Sequence, residues 1–188
     1  MRSSLVHAAA AFAETAHAAQ RRRYTNEPYI VHPAAVAARV ATVTSDEEVL
    51  AAAWLHDVVE DTRVRLPEIE TVFSARVAHL VDALTNVSGP QDGPRRVRKA
   101  RDLERLRHAP PEAQTIKYAD LIDNTRSIVA HDPRFAWVYL EEKAALLAAL
   151  DHGDASLRKE AGILLARSLD TLVLTLPCIG SSAGRAPA

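Results

Sequence analysis

Between Trp54 and Thr62 the chain reads Trp-Leu-His-Asp-Val-Val-Glu-Asp-Thr, which sets His56, Asp57, Glu60 and Asp61 as two pairs four residues apart. On one continuous helix, positions i and i+4 share a face. His56 would then stack with Glu60 and Asp57 with Asp61, while Val58 and Val59 turn toward packing. A neighbouring His-Asp pair offers an imidazole and a carboxylate to a divalent cation, and the second acidic pair is left to position or deprotonate a water. An isolated His-Asp followed by Glu-Asp-Thr reads more readily as an N-cap or a salt-bridged helix end, so the remaining ligands decide.

A stable site needs at least two more, and the chain supplies His32 and Asp120. His32 lies in Pro28-Tyr29-Ile30-Val31-His32-Pro33, where the following proline fixes the chain direction and can aim the imidazole inward. Asp120 opens the series Asp120, Asp123, Asn124, Ser127, spaced as i, i+3, i+4 and i+7 and therefore a continuous polar stripe on a helix. Ile116, Ala119, Leu121, Ile122 and Ile128 make the opposite side apolar. Two histidines and two aspartates form a mixed nitrogen and oxygen set that suits Mn²⁺ better than a thiolate-rich zinc site, although zinc or copper would compete by intrinsic affinity.

Helices must carry these residues. Apolar spacing of Leu5, Ala9, Phe12 and Ala16 predicts an amphipathic helix over residues 4–20. His7 and Glu14 interrupt the Ala-rich run and distinguish it from the signal peptide that Ala16-His17-Ala18 imitates. Arg21 to Tyr29 reads as a loop, followed by a helix from about Pro33 to Val43. Ser45-Asp46-Glu47-Glu48 is the pattern of a capping box, opening a helix to about Glu60 that would hold His56 and Asp57 in its last turns. Pro67 begins a short helix, and Ser74 to Asn86 is a further one. The Gly- and Pro-rich stretch 88–94 reads as a loop. Helices are also expected over residues 95–107, 112–130, 134–151 and 154–174, with no strand and no internal repeat. The fold class is all-α, a single compact helical domain of about eight to ten helices over residues 1–174, with 175–188 as a flexible tail of small and polar residues.

The 188 residues suit one domain with one good core. A net charge of −1 gives no domain-wide basic excess of the kind that marks a nucleic-acid binder. Any anion site must therefore be local, and Arg22, Arg23 and the five cations of residues 95–101 are the candidates. Those of 95–101 can instead pair with Asp92, Asp102 and Glu104. The lone Cys178 forms no disulfide within the chain and points to a reducing, cytoplasmic setting. No stretch reaches the roughly 18 apolar residues of a membrane span.

Five blocks in order carry a resemblance: His17…Gln20-Arg21-Arg22-Arg23; Glu27-Pro28-Tyr29-Ile30-Val31-His32-Pro33; His56-Asp57-Val58-Val59-Glu60-Asp61-Thr62; Leu80-Val81-Asp82-Ala83-Leu84-Thr85; and Ile116-Lys117-Tyr118-Ala119-Asp120-Leu121-Ile122-Asp123-Asn124-Thr125-Arg126-Ser127. Together they resemble the hydrolase half of the Rel/SpoT alarmone enzymes, and most closely the small stand-alone alarmone hydrolases of the HD superfamily. The resemblance implies an all-helical HD fold and hydrolysis of the 3′-pyrophosphate of ppGpp or pppGpp, giving GDP or GTP and pyrophosphate. It implies one Mn²⁺ per subunit held by His32, His56, Asp57 and Asp120, with Glu60 and Asp61 orienting and activating the attacking water. Arg22 matches an arginine that packs on the guanine, Arg23 a basic residue near the same pocket, and Asn124 and Ser127 residues that hold the nucleotide. The expected partner is that small-molecule substrate, with no nucleic acid and no membrane; self-association into a homo-oligomer stays open.

The chain departs from the long enzymes in three places. It has Ile122-Asp123-Asn124 where they commonly have Leu-His-Asn, which puts an acid near the substrate phosphates. It has Asn26 where they usually place glycine, and one more residue before Glu27. Residues after 174 are too few for the alarmone-making domain, so hydrolysis without synthesis is expected. Two alternatives remain open from the sequence: an HD-type phosphohydrolase for another nucleotide such as NADPH, and a catalytically silent module that binds alarmone.

Overall fold

The computed structural model describes residues 4–175. Within them the chain is all-α: α1 (Leu5–Ala16), α2 (Val31–Val40), α3 (Glu47–Leu55), α4 (Val58–Asp61), α5 (Leu66–Val72), α6 (Ala75–Leu84), α7 (Arg95–Arg107), α8 (Pro111–His131), α9 (Pro133–Ala149) and α10 (Ala155–Thr175), with a single 3-10 turn at Pro90–Asp92. The only extended pairing among the described residues is an isolated bridge between Arg21 and Pro28. The expected flexible tail lies, apart from Thr175, outside the described residues. No described helix is long and apolar enough to cross a membrane.

The first helix is shorter than expected and ends at Ala16: the His17 amide makes the last i→i−4 bond, to Ala13, and the Ala18 amide then bonds Thr15 in a tighter turn. The stretch from Asp46 to Asp61 is two helices, not one. His56 Nδ1 lies 2.8 Å from the Ala53 carbonyl, the group that the Asp57 amide would bond in an unbroken helix. The side chain takes the ladder's acceptor, and α4 starts afresh after Asp57. The cap also differs from the expected box: Asp46, rather than Ser45, accepts from the amides of Glu48 and Val49. Glu48 turns away to accept from Ser74 Oγ and Arg76.

α2 begins two residues before Pro33. This proline occupies the first turn, where its missing N–H breaks no intrahelical bond. Ahead of it, Asn26 has φ 58°, a left-handed conformation that asparagine tolerates better than most residues. The same conformation would suit the glycine that the resemblance leads one to expect there.

One core joins α1, α2, α3, α5, α6 and α8 through Ala9, Val36, Leu55, Ile69, Leu80, Ile116 and their neighbours. Each fully buried Leu or Ile contributes about 1.5–3 kcal/mol of transfer free energy. A smaller cluster, Ala136, Tyr139, Leu140 and Leu172, fastens α9 to α10. α8 is central, with most of its apolar side buried and, of its polar stripe, Asp120 buried and Asp123, Asn124 and Ser127 half-buried. Tyr118 donates to the Leu150 carbonyl at 2.9 Å, and Gln114 Oε1 accepts from the His152 amide at 3.0 Å. A methyl group on Gly153 would stand 2.6 Å from the Tyr118 ring and 2.8 Å from the Thr115 amide nitrogen, so the α9–α10 connection passes where only glycine fits.

Candidate active site

Three helices bring the four expected ligands together, His32, His56 and Asp57 as one cluster and Asp120 against His32. The first turn of α2 presents His32, the break between α3 and α4 presents His56 and Asp57, and the middle of α8 presents Asp120. His56 Nε2 and His32 Nε2 are 3.3 Å apart. Asp57 Oδ2 lies 3.2 Å from His56 Nε2 and 3.4 Å from His32 Nε2, and Asp120 Oδ1 is 3.3 Å from His32 Nε2. The cluster His32, His56, Asp57 has its ligand atoms within 4.8 Å of one another. Both histidines are almost completely buried, at 1% and 3% exposure.

The far side of each ring is committed. His32 Nδ1 meets Asp123 Oδ2 at 2.6 Å and His56 Nδ1 meets the Ala53 carbonyl at 2.8 Å. Both partners are acceptors, so each Nδ1 carries the hydrogen and each Nε2 of a neutral ring presents a lone pair. Two lone pairs and two carboxylate oxygens facing one another repel unless a cation lies among them. Donors spaced in this way are what a divalent ion with mixed nitrogen and oxygen ligands requires, so these residues fit a metal.

Without an ion, the same demand falls on protons. Burial opposes charge on His32, yet hydrogen bonds to Asp120, Asp123 and Asp57 push its pKa up to about 11. Burial also opposes ionisation of Asp57, but His56 and His32 hold its carboxyl well below the usual range. Asp120 is likewise held low against burial, chiefly by Lys117 and then by His32.

Several residues that sequence reasoning did not single out complete the arrangement. Lys117, one turn before Asp120, places Nζ 2.7 Å from Asp120 Oδ2 and leaves Oδ1 for the centre. Tyr29 donates its hydroxyl to Asp57 Oδ2 at 2.6 Å. His17 packs its ring 4.8 Å from that of Tyr29 and hydrogen-bonds Gln20, whose Nε2 donates to the Asp61 carbonyl at 2.9 Å. Lys117 lay in the stretch that carries the resemblance, three residues from a ligand candidate; that i, i+3 spacing was the available signal. Asp123, the acid expected near the substrate phosphates, orients His32 and pairs with Arg22 Nη2 at 3.0 Å.

The break at His56 separates His56 from α4, but Asp57 caps that helix and the Asp61 amide bonds the Asp57 carbonyl at 2.9 Å, so Asp57 and Asp61 stand one turn apart as expected. Glu60 is exposed and accepts from Asn86, through Nδ2 at 2.6 Å and through the amide at 3.1 Å. Asp61 stands nearer the centre, and burial together with the charge of Asp57 raises its carboxyl above the usual range, with Tyr29 pulling the other way.

Arg22, Asp123 and Ser127 border a cleft of about 290 Å³ with Thr25, Val31 and His131. Arg22 Nη1 also reaches Asn124 Oδ1 at 3.3 Å, and Asn124 Nδ2 donates to Asp120 Oδ1 at 2.5 Å, which joins the cleft to the ligand cluster. Arg23 is not among the residues that line it: its guanidinium stands 5.4 Å over the ring of Tyr24. The cations of α7 are mostly paired: Arg95 with Glu142, Lys99 with Asp102, Arg101 with Asp92.

Comparison with known proteins agrees with this geometry. A family model described as an HD domain matches residues 9–154. The human guanosine-3′,5′-bis(diphosphate) 3′-pyrophosphohydrolase MESH1 is 40% identical over 124 residues, covering 64% of this chain and 67% of that protein. An Aquifex aeolicus protein named guanosine-3′,5′-bis(diphosphate) 3′-pyrophosphohydrolase is 34% identical over 137 residues, 73% of this chain; the chain spans only 18% of its length. Among solved structures, a metazoan ortholog of SpoT described as hydrolysing ppGpp superposes with a TM-score of 0.79 at 26% identity, covering 89% of this chain and 97% of that one. The helices that bring a histidine from α2 beside a His-Asp pair and an α8 aspartate are thus those of a known architecture, and the chain belongs to the HD domain family.

Proposed function

We propose that this protein is a metal-dependent guanosine-3′,5′-bis(diphosphate) 3′-pyrophosphohydrolase, converting ppGpp to GDP and pppGpp to GTP with release of pyrophosphate. The observation that carries the reading is the convergence of two hydrogen-bond-oriented imidazole nitrogens on Asp57 and Asp120, in a chain whose relatives of similar length bear that name. His32, His56, Asp57 and Asp120 would hold one divalent ion per subunit, with Mn²⁺ the choice that the oxygen-rich donor set favours. When bound, the ion supplies Lewis-acid polarisation of a phosphoryl oxygen and a nucleophile available at neutral pH.

The chain's own residues do the rest. Asp61, with Glu60 beside it, orients the attacking water and takes its proton on a carboxylate oxygen. The water oxygen joins the phosphorus next to the ribose, the O3′–P bond breaks, and the ribose oxygen leaves with a proton as the 3′-hydroxyl. Arg22 stacks its guanidinium on the guanine, and Asn124 and Ser127 hold the nucleoside along the α8 stripe. Arg23 supplies positive charge at the mouth rather than a wall of the cleft. The work belongs in the cytoplasm, where guanine nucleotides are turned over.

The test is incubation of purified protein with ppGpp in the presence of Mn²⁺ or of EDTA, with products separated by anion exchange. GDP and pyrophosphate formed only with metal are expected. No turnover by the metal-loaded protein would overturn the reading. NADPH and other phosphate esters would then be assayed, and tight alarmone binding without turnover would identify a sensor.

A further inference from the structure

Lys143, on the face of α9 turned toward α8, is largely buried, and its ammonium makes no hydrogen bond or ion pair with any described residue. Its Nζ stands 4.9 Å over the centre of the Tyr139 ring. The carboxylates within electrostatic reach are Asp120 and Glu142, and both are already satisfied. Asp120 Oδ2 is held by Lys117 at 2.7 Å, and Glu142 is gripped at both oxygens by Arg95, at 2.7 and 2.9 Å. The other charges that act on it most, Lys117 and Lys99, are cations.

A buried cation that lacks a counterion destabilises the fold. Such groups concentrate at functional sites. Lys143, Lys117 and Lys99 thus gather positive charge within electrostatic reach of Asp120. A ligand with several negative charges would resolve it.

We propose that Lys143 receives the 3′-pyrophosphate of the substrate as it departs, pairing its ammonium with non-bridging phosphate oxygens beside Asp120. The inference rests on the reading of this site as one for a nucleotide pyrophosphate ester. Tyr139 holds the lysine stem in place, its hydroxyl 3.4 Å from Thr125 Oγ1, while Lys117 stays committed to Asp120. Burial and the repulsion of Lys117 depress the free ammonium's pKa to about 8, and an arriving polyanion restores its charge.

The experiment compares wild type with Lys143→Met and Lys143→Arg. It measures pyrophosphate affinity of the Mn²⁺-loaded protein by calorimetry and as product inhibition, with GDP inhibition, metal affinity and melting temperature alongside. Lys143→Met is expected to weaken pyrophosphate binding about tenfold, the size of one charge-assisted contact. GDP inhibition and metal affinity should be unchanged and the melting temperature not lowered; Lys143→Arg should recover most of the binding. Pyrophosphate affinity within twofold of wild type, or a loss confined to GDP, would overturn the assignment. So would a parallel fall in metal affinity. If wild type fails to hydrolyse ppGpp yet pyrophosphate binding depends on Lys143, the anion site stands and the choice of substrate falls. If hydrolysis proceeds and pyrophosphate binding ignores Lys143, only the present proposal falls.

Discussion

The Nε2 atoms of His32 and His56 face each other at 3.3 Å, and neither ring is free to turn away because each Nδ1 is tied to an acceptor. An ion that binds between them binds only the folded chain, since the two histidines are 24 residues apart in sequence and held by different helices. Mn²⁺ at a hundred times its Kd should therefore stabilise the fold by about 2.7 kcal/mol. A rise in melting temperature that EDTA reverses and that His56→Ala abolishes is the expected result of a thermal melt.

Tyr29 steadies Asp57 by one short hydrogen bond. Partners of this kind, one step removed from a metal, are worth about 10–100-fold in metal affinity. Tyr29→Phe should keep the helical circular-dichroism signal and weaken metal binding by about tenfold, measured by competition with a chelating dye. A full-strength metal site in the variant would show that Asp57 needs no such support.

Lys117 and Asp120 form a buried pair at 2.7 Å. Removing one partner leaves an uncompensated buried charge, a loss of about 3 kcal/mol. Lys117→Met should lower the urea midpoint of the metal-free protein substantially, and Mn²⁺ should recover part of the difference by supplying positive charge to Asp120.

Stability should also carry the imprint of Lys143. Its pKa in the fold is about 8, against about 10.4 in an unfolded chain. Between those values the unfolded chain binds a proton that the folded chain has released, so stability from this group rises with pH across the window. Below pH 8 the full penalty of the buried charge is present. Lys143→Met should thus exceed wild type in stability most at pH 7 and converge with it toward pH 10.5, as urea unfolding at the two ends would show.

Much of the scaffold was legible from period and punctuation. The basic helix over 95–107 and the long helices α8, α9 and α10 have boundaries within two residues of expectation, because proline, a capping aspartate or a glycine-containing turn brackets them. The helix expected to run to Glu60 was not legible as two, since the break depends on where the His56 ring finds its acceptor. Asn26, a departure in sequence, became intelligible only through its positive φ.

At the site, the identities of His32, His56, Asp57 and Asp120 could be proposed from residue type, spacing and order. The residues that orient or neutralise them could not. Asp123 is 91 positions from the histidine it orients, and Tyr29 is 28 from the aspartate it steadies. Nothing in either residue's own neighbourhood names its partner.

What the sequence determined by itself is local: an all-helical chain, an amphipathic rhythm that buries one side of each helix, and a small set of side chains chemically able to hold a cation. Tertiary structure decided which faces meet, which nitrogen of each imidazole looks inward, and which carboxylate is left half-neutralised by a lysine. The reason is physical. Helix periodicity is an energy summed over neighbours three and four residues apart, whereas the direction of a proton on a ring depends on whichever acceptor the packing of distant helices brings to its other side.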